Sequence, residues 1–205
     1  MARPLTAALS FALVWITSVA AAQLRFACTG PLAPGASHAS LASYFGAANV
    51  VAGDVYVGEG QSEPGTIVYP NDPSKRIEIL WKKPRVRRFP ATVRVGDAAD
   101  WNRSEWRTSK GVTLGTTLLQ LERMNGGTFR LLGFDWDYAG TVTDWSGGAL
   151  DASGPCTFGA RLQPDPARPS QYEERLGGDN EFSSGNPAMR AVNPYVYLMI
   201  LDYGE

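Results

Sequence analysis

Through most of the chain, apolar and polar residues alternate in short runs broken by Gly, Pro, Asn and Asp, the period-two pattern of half-buried strands. This pattern predicts strands at 49–57, 66–69 and 76–81, and again at 128–132, 140–143 and 156–162, with further strand-like stretches at 24–28 and 91–95. The last run, Tyr195-Val196-Tyr197-Leu198-Met199-Ile200-Leu201-Asp202, is apolar on both alternating sets, so it is expected to be a central or covered strand. Positions 162–194 carry Pro, Gly, Ser and Asn without sustained periodicity, which predicts a long surface loop with one short helix near 171–176.

Two segments break the alternation and repeat each other. Gly35, Leu41 and Gly46 stand at the same spacing as Gly115, Leu121 and Gly126, eighty residues later. Each suits one short helix. Ser37 or Thr116 caps the start, Leu41 with Tyr44 and Phe45, or Leu118 with Leu119 and Leu121, supplies an apolar face, and Gly46 or Gly126 closes the helix in the left-handed conformation. Strand material follows both in matching order, with Thr66-Ile67-Val68-Tyr69 in one and Thr141-Val142-Thr143-Asp144 in the other. The expected fold is therefore α+β, built of two tandem helix-then-antiparallel-meander repeats. The first unit covers 23–95; the second covers 96–205 and includes the long loop 162–194 and the C-terminal strand.

Composition changes the picture first at the N-terminus. Met1-Ala2-Arg3 precedes an apolar stretch ending at Ala20-Ala21-Ala22, and small residues before Gln23 give the layout of a cleavable secretory signal over 1–22. The alternative, an uncleaved anchor, would need about 20 strongly apolar residues, and this stretch is rich in Ala, Ser and Thr. No later segment is apolar enough to span a bilayer. A formal net charge of −1 predicts no general affinity for nucleic acid or for an anionic membrane. In an oxidising compartment the two cysteines, Cys28 and Cys156, are expected to form one disulfide. Lipidation of Cys28 is the rival reading, but Arg25-Phe26-Ala27 lacks the aliphatic residue that such a site needs. The expected product is a soluble monomer in the periplasm or the medium.

The Gly, Ser or Thr, Leu and closing Gly of each helix, followed by a small meander, resemble the helix-and-sheet unit of the small outer-membrane lipoproteins of barrel assembly. The tandem form is similar to the β-lactamase inhibitory proteins. The stretch from Phe45-Gly46-Ala47-Ala48-Asn49-Val50 through Glu59-Gly60-Gln61, together with Gly133-Phe134-Asp135-Trp136-Asp137-Tyr138-Ala139-Gly140-Thr141-Val142, also resembles an uncharacterised family of secreted bacterial proteins. The first resemblance implies a fold and covers the two helices with their strands. The second covers nearly all of the chain after the leader and implies no activity.

Compact catalytic signatures are missing: there is no Gly-x-Ser-x-Gly, His-Glu-x-x-His, phosphate loop or Cys-x-x-Cys. Gly58-Glu59-Gly60 reads as a hairpin turn. His38 is the one histidine, set in the first helix with no acid or thiol beside it in sequence, so it reads as a solvated helical residue. Asp135 and Asp137 are two apart, and on a strand they would share a face with Cβ atoms about 6–7 Å apart, a separation suited to a glycosidase acid/base pair. They would otherwise be hydrated surface acids, or calcium ligands together with Asp144. No cofactor and no metal is expected.

Aromatic density is the stronger signal. Trp136 and Tyr138 interleave with Asp135 and Asp137, and Trp145 follows, in what read as hairpin positions. Rigid aromatics beside acids and Gly are what a recognition surface uses; strand alternation equally allows the aromatics to face the core while the acids face water. Lys82-Lys83-Pro84-Arg85-Val86-Arg87-Arg88 packs five cations at the junction between the units, either a docking site for a polyanion or a charged linker and strand edge. The leading expectation is a non-enzymatic protein-binding module of the inhibitor or envelope-accessory type, whose partner is an envelope or secreted protein. The alternatives are a carboxylate-based glycan hydrolase and a structural envelope protein.

Overall fold

The computed structural model describes residues 24–96, 104–151, 154–168, 170–171 and 173–204; the expected leader over 1–22 lies outside them. The two helices predicted from the repeat form at the same offset. Ser37 caps α1 (His38–Phe45) and Thr117 caps α2 (Leu118–Asn125), each in a reciprocal capping box with the residue three positions on, Ser40 or Gln120. The second cap is thus Thr117 and not Thr116, whose backbone bonds are made elsewhere: its N–H to Thr113 and its carbonyl from Val196. Gly46 and Gly126 end the helices with positive φ, and only Gly126 adopts the left-handed helical conformation.

After α1 the chain runs through four antiparallel strands, β1 (Val50–Gly58), β2 (Gln61–Val68), β3 (Ile77–Lys83) and β4 (Arg88–Gly96). After α2 come β5 (Arg130–Leu132), β6 (Val142–Asp144), β7 (Thr157–Gln163), β8 (Glu181–Ser183), the short helix α3 (Pro187–Val192) and β9 (Tyr195–Asp202). The class is α+β, as expected. The tandem arrangement is not what these strands make. β7 and β9 leave the second half and extend the first sheet, in the order β1-β2-β3-β4-β9-β7, while β6, β5 and β8 form a separate three-stranded sheet. The apolar β9 is what fuses the halves: it needs cover on both faces and partners on both edges, and it finds them between β4 and β7. Within 162–194, read as a loop, β8 and α3 were not anticipated, and the 24–28 stretch makes only a single bridge, Arg25 to Arg107.

One hydrophobic core spans both halves. Alternate residues Ile77, Ile79 and Trp81 of β3, Val93 and Val95 of β4, and Met199 and Leu201 of β9 are buried together with Leu41 and Phe45 of α1 and Leu118 and Leu121 of α2. Cys28 and Cys156 form the expected disulfide, with Cα atoms 5.9 Å apart, tying the N-terminal segment to the start of β7. Among the described residues no helix is long and apolar enough to cross a membrane. The basic stretch 82–88 is no linker between units. It is the β3–β4 hairpin, held by Arg87 Nε donating to the Gly65 carbonyl (3.2 Å) and Lys82 Nζ donating to the Tyr203 carbonyl (3.1 Å).

The β1–β2 hairpin positions the site. Glu59 and Gly60, both with positive φ (51° and 74°), make the tight turn that joins strands of right-handed twist. β3 pairs only with Thr66, Ile67 and Val68, so residues 61–65 of β2 run past the sheet. Pro64 lacks a ladder donor, and Gly65 lies where a Cβ would stand 2.6 Å from the Ile79 carbonyl oxygen and from Val55. The free end of the hairpin lies over the sheet face opposite the core, where the Tyr56 carbonyl accepts a hydrogen bond from Arg94 Nη2.

Candidate functional site

On that second face the strand register lines up Arg94 with Ile200, and Leu198 with Arg161. Ile200 and Leu198 are two apart, so Arg94 of β4 and Arg161 of β7 share a face, with Cα atoms about 12 Å apart diagonally across β9. A cavity of about 300 Å³ lies between this face and the hairpin tip. Tyr56, Val57 and Glu59 line it from the hairpin, Arg94, Arg161, Tyr197 and Leu198 from the sheet, and Asp137 and Tyr138 from the 134–140 segment.

That last segment is a turn between β5 and β6, and not the strand on which Asp135 and Asp137 would have shared a face. Asp135 has φ 65°, the Gly140 N–H donates to the Gly133 carbonyl (2.9 Å), and the Ala139 N–H donates to the Trp136 carbonyl (3.0 Å). The turn is seated by Phe134, whose side chain is buried and whose N–H donates to the Leu176 carbonyl (2.8 Å). Gly140 is required where it stands: φ is +64° and a Cβ would meet the Leu162 carbonyl oxygen at 1.8 Å.

The structure separates the five aromatic and acidic residues singled out by the sequence. Asp137 and Tyr138 line the cleft, whereas Asp135 lines a different cavity with Phe134, Gln163 and Pro164. The shared face that a strand would give the two carboxylates does not form, because a turn rotates successive side chains apart where a pleat would return them to one side. Trp136 is half-buried beside the turn, donating from Nε1 to the Gly133 carbonyl (3.1 Å) and meeting Tyr138 edge-on at 5.5 Å between centroids. Trp145 does not project from a hairpin. It is 6 % exposed, stacked on Phe158 and against Phe129, with Nε1 donating to the Phe158 carbonyl (2.9 Å), so it belongs to the core. Asp144, the third acid of the calcium reading, accepts from the Ser146 N–H at 2.6 Å. Among the described residues no group of three or more His, Cys, Asp or Glu side chains is placed to hold a metal ion.

Three of the six large apolar residues that stand exposed among those described, Tyr56, Val57 and Tyr138, gather at this one cleft. The guanidinium of Arg161 lies over the Tyr138 ring, 5.3 Å from its centroid, and its Nη1 donates to the Asp137 carbonyl oxygen (3.3 Å). Arg94 is 14 % exposed and pairs through Nη2 with Glu78 Oε2 (3.2 Å), itself 18 % exposed and also paired with Arg76 (2.7 Å). Tyr56, Arg94, Arg161 and Tyr197 were missed by sequence reasoning. The available signal was a cation inside an apolar strand, Thr92-Val93-Arg94-Val95 and Gly159-Ala160-Arg161-Leu162, where alternation sets the charge on the face away from the core.

His38 lies outside the cleft. Its Nδ1 is 3.0 Å from the hydroxyl of Thr66, a fully buried residue that also accepts from Trp81 Nε1 at 3.0 Å. Partial burial and the Arg87 guanidinium hold its pKa below the ordinary histidine value. Cys156 is in the disulfide, so it offers His38 no thiol.

No family model, no curated protein and no solved structure matches the chain.

Proposed function

We propose that this chain is an exported, non-enzymatic recognition protein that binds a protein partner at the cleft beneath the β1–β2 hairpin. The observation that carries the reading is the convergence on one cavity of exposed Tyr56, Val57 and Tyr138 with Arg94 and Arg161. Tyr and Arg are the residues that supply binding energy at interfaces, because they bury large area on few torsions and carry directional hydrogen bonds. The signal-like leader and the Cys28–Cys156 disulfide support placement in the periplasm or the medium. The glycan-hydrolase alternative loses support where Asp135 and Asp137 open on different cavities.

The test is affinity capture from envelope extract with the mature protein, in parallel with its Tyr56→Ala and Tyr138→Ala variants. A protein retained by the parent and lost from both variants is the expected result. Equal retention by all three refutes the cleft as the binding site.

A further inference from the structure

We infer that the cleft recognises a carboxylate on its partner, an Asp or Glu side chain of an acidic peptide segment, held between Arg94 and Arg161. The inference rests on the recognition reading and adds the chemistry of the ligand. Arg94 already pairs with Glu78 and with the Tyr56 carbonyl through Nη2, and Arg161 with the Asp137 carbonyl through Nη1, yet each keeps one donor unused. Arg94 Nε and Arg161 Nε are buried donors without a hydrogen-bond partner, and such orphaned donors are rare in folded proteins. Arg161 enters no ion pair among the described residues and takes the main-chain oxygen of Asp137 in place of its carboxylate. A modest turn of each guanidinium toward the cavity would bring Nε–H and an Nη–H onto one acceptor, and a planar carboxylate matches that fork.

The surroundings choose among anions. Glu59 and Asp137 border the same cavity and offset the two guanidiniums before any ligand enters, so a single carboxylate adds one uncompensated negative charge and a dianion such as phosphate adds two, which favours the carboxylate. A cavity of about 300 Å³ holds one side chain with its flanking peptide groups, and Tyr56 and Tyr138 supply ring faces for the chain on either side.

The experiment reads the side-chain Nε–H signals of Arg94 and Arg161 by nitrogen-15 NMR on the mature protein, assigned through Arg161→Gln and Arg94→Lys. The probes are acetyl-Ala-Glu-Ala-amide, acetyl-Ala-Gln-Ala-amide, acetate and inorganic phosphate. Expected are saturable shifts of both signals with the Glu peptide, at least tenfold weaker binding of the Gln peptide and of acetate, and loss of the Arg94 response in Arg161→Gln. Arg161→Lys, which keeps the charge without the fork, should bind at least fivefold more weakly than the parent. No saturable shift, equal response to the Gln peptide, acetate as strong as the Glu peptide, or preference for phosphate overturns the inference. A partner captured through Tyr138 but indifferent to Arg161→Gln would refute the carboxylate and leave the recognition reading standing; carboxylate binding with no captured partner would do the reverse.

Discussion

The guanidinium of Arg161 rests on the ring of Tyr138, 5.3 Å from its centroid, and so ties the outer strand β7 to the 134–140 turn at the mouth of the cleft. The contact joins part-buried Arg161 to Tyr138, which is 51 % exposed, so it lies outside the core.

Tyr138→Ala should therefore weaken partner binding by about 2 kcal/mol, as loss of an interface anchor does, while the thermal midpoint stays within a few degrees of the parent. Titration calorimetry with the captured partner, beside a thermal melt of each protein, measures both quantities.

Trp145→Ala should do the opposite. The ring is buried between Phe129 and Phe158, and its truncation should cost about 3–5 kcal/mol of stability. Urea unfolding reads this directly. A variant as stable as the parent would return Trp145 to the surface that its sequence neighbourhood suggested.

Gly65→Ala tests the seat of the hairpin. The new methyl would meet the Ile79 carbonyl oxygen and Val55 at 2.6 Å, so something must move, at about 1–3 kcal/mol. The displaced hairpin should be cut faster by protease within 56–61 and should bind partner more weakly. Unchanged cleavage would mean that the hairpin does not depend on the close approach at Gly65.

Reducing the disulfide should release a loop of 128 residues, for which the chain-entropy model gives about 4–5 kcal/mol. The Cys28→Ser, Cys156→Ser double variant should show the same loss in urea unfolding. Equality of oxidised and reduced forms would refute it.

His38 should make stability depend on pH. Its pKa in the folded chain lies below the ordinary value of 6.5, through burial first and then through Arg87 on the β3–β4 hairpin. Between those two values the unfolded chain binds more protons, so stability is fully present above 6.5 and falls as the pH drops through it. The slope should flatten in His38→Gln, measured as urea midpoints between about pH 7.5 and 5.5, above the carboxylate range. An unchanged slope would place the dependence elsewhere.

Local chemistry determined much of this protein without help from the rest of the chain. The Ser37 cap, the closing Gly46 and Gly126, the Glu59-Gly60 turn and the alternating runs of β3, β4 and β7 each follow from steric and hydrogen-bonding preferences that act over a few residues, whereas the second cap stands at Thr117, one residue past the Thr116 that the spacing suggested. The run 195–202 declared its own burial, because a strand apolar on both faces has nowhere else to go. Tertiary structure decided the rest. Periodicity places residues on a face and is silent on which strands become neighbours, so the insertion of β9 between β4 and β7, which replaced two tandem units with one shared sheet, was not readable. The same gap hid the cleft. Arg94 and Arg161 lie 67 residues apart in sequence and meet the hairpin tip only because register aligns both against β9 and because Pro64 and Gly65 free the end of β2 to cross the face. Asp135 and Asp137, two apart in the chain, were parted by a turn whose seat, the Leu176 carbonyl, comes from a segment some forty residues onward.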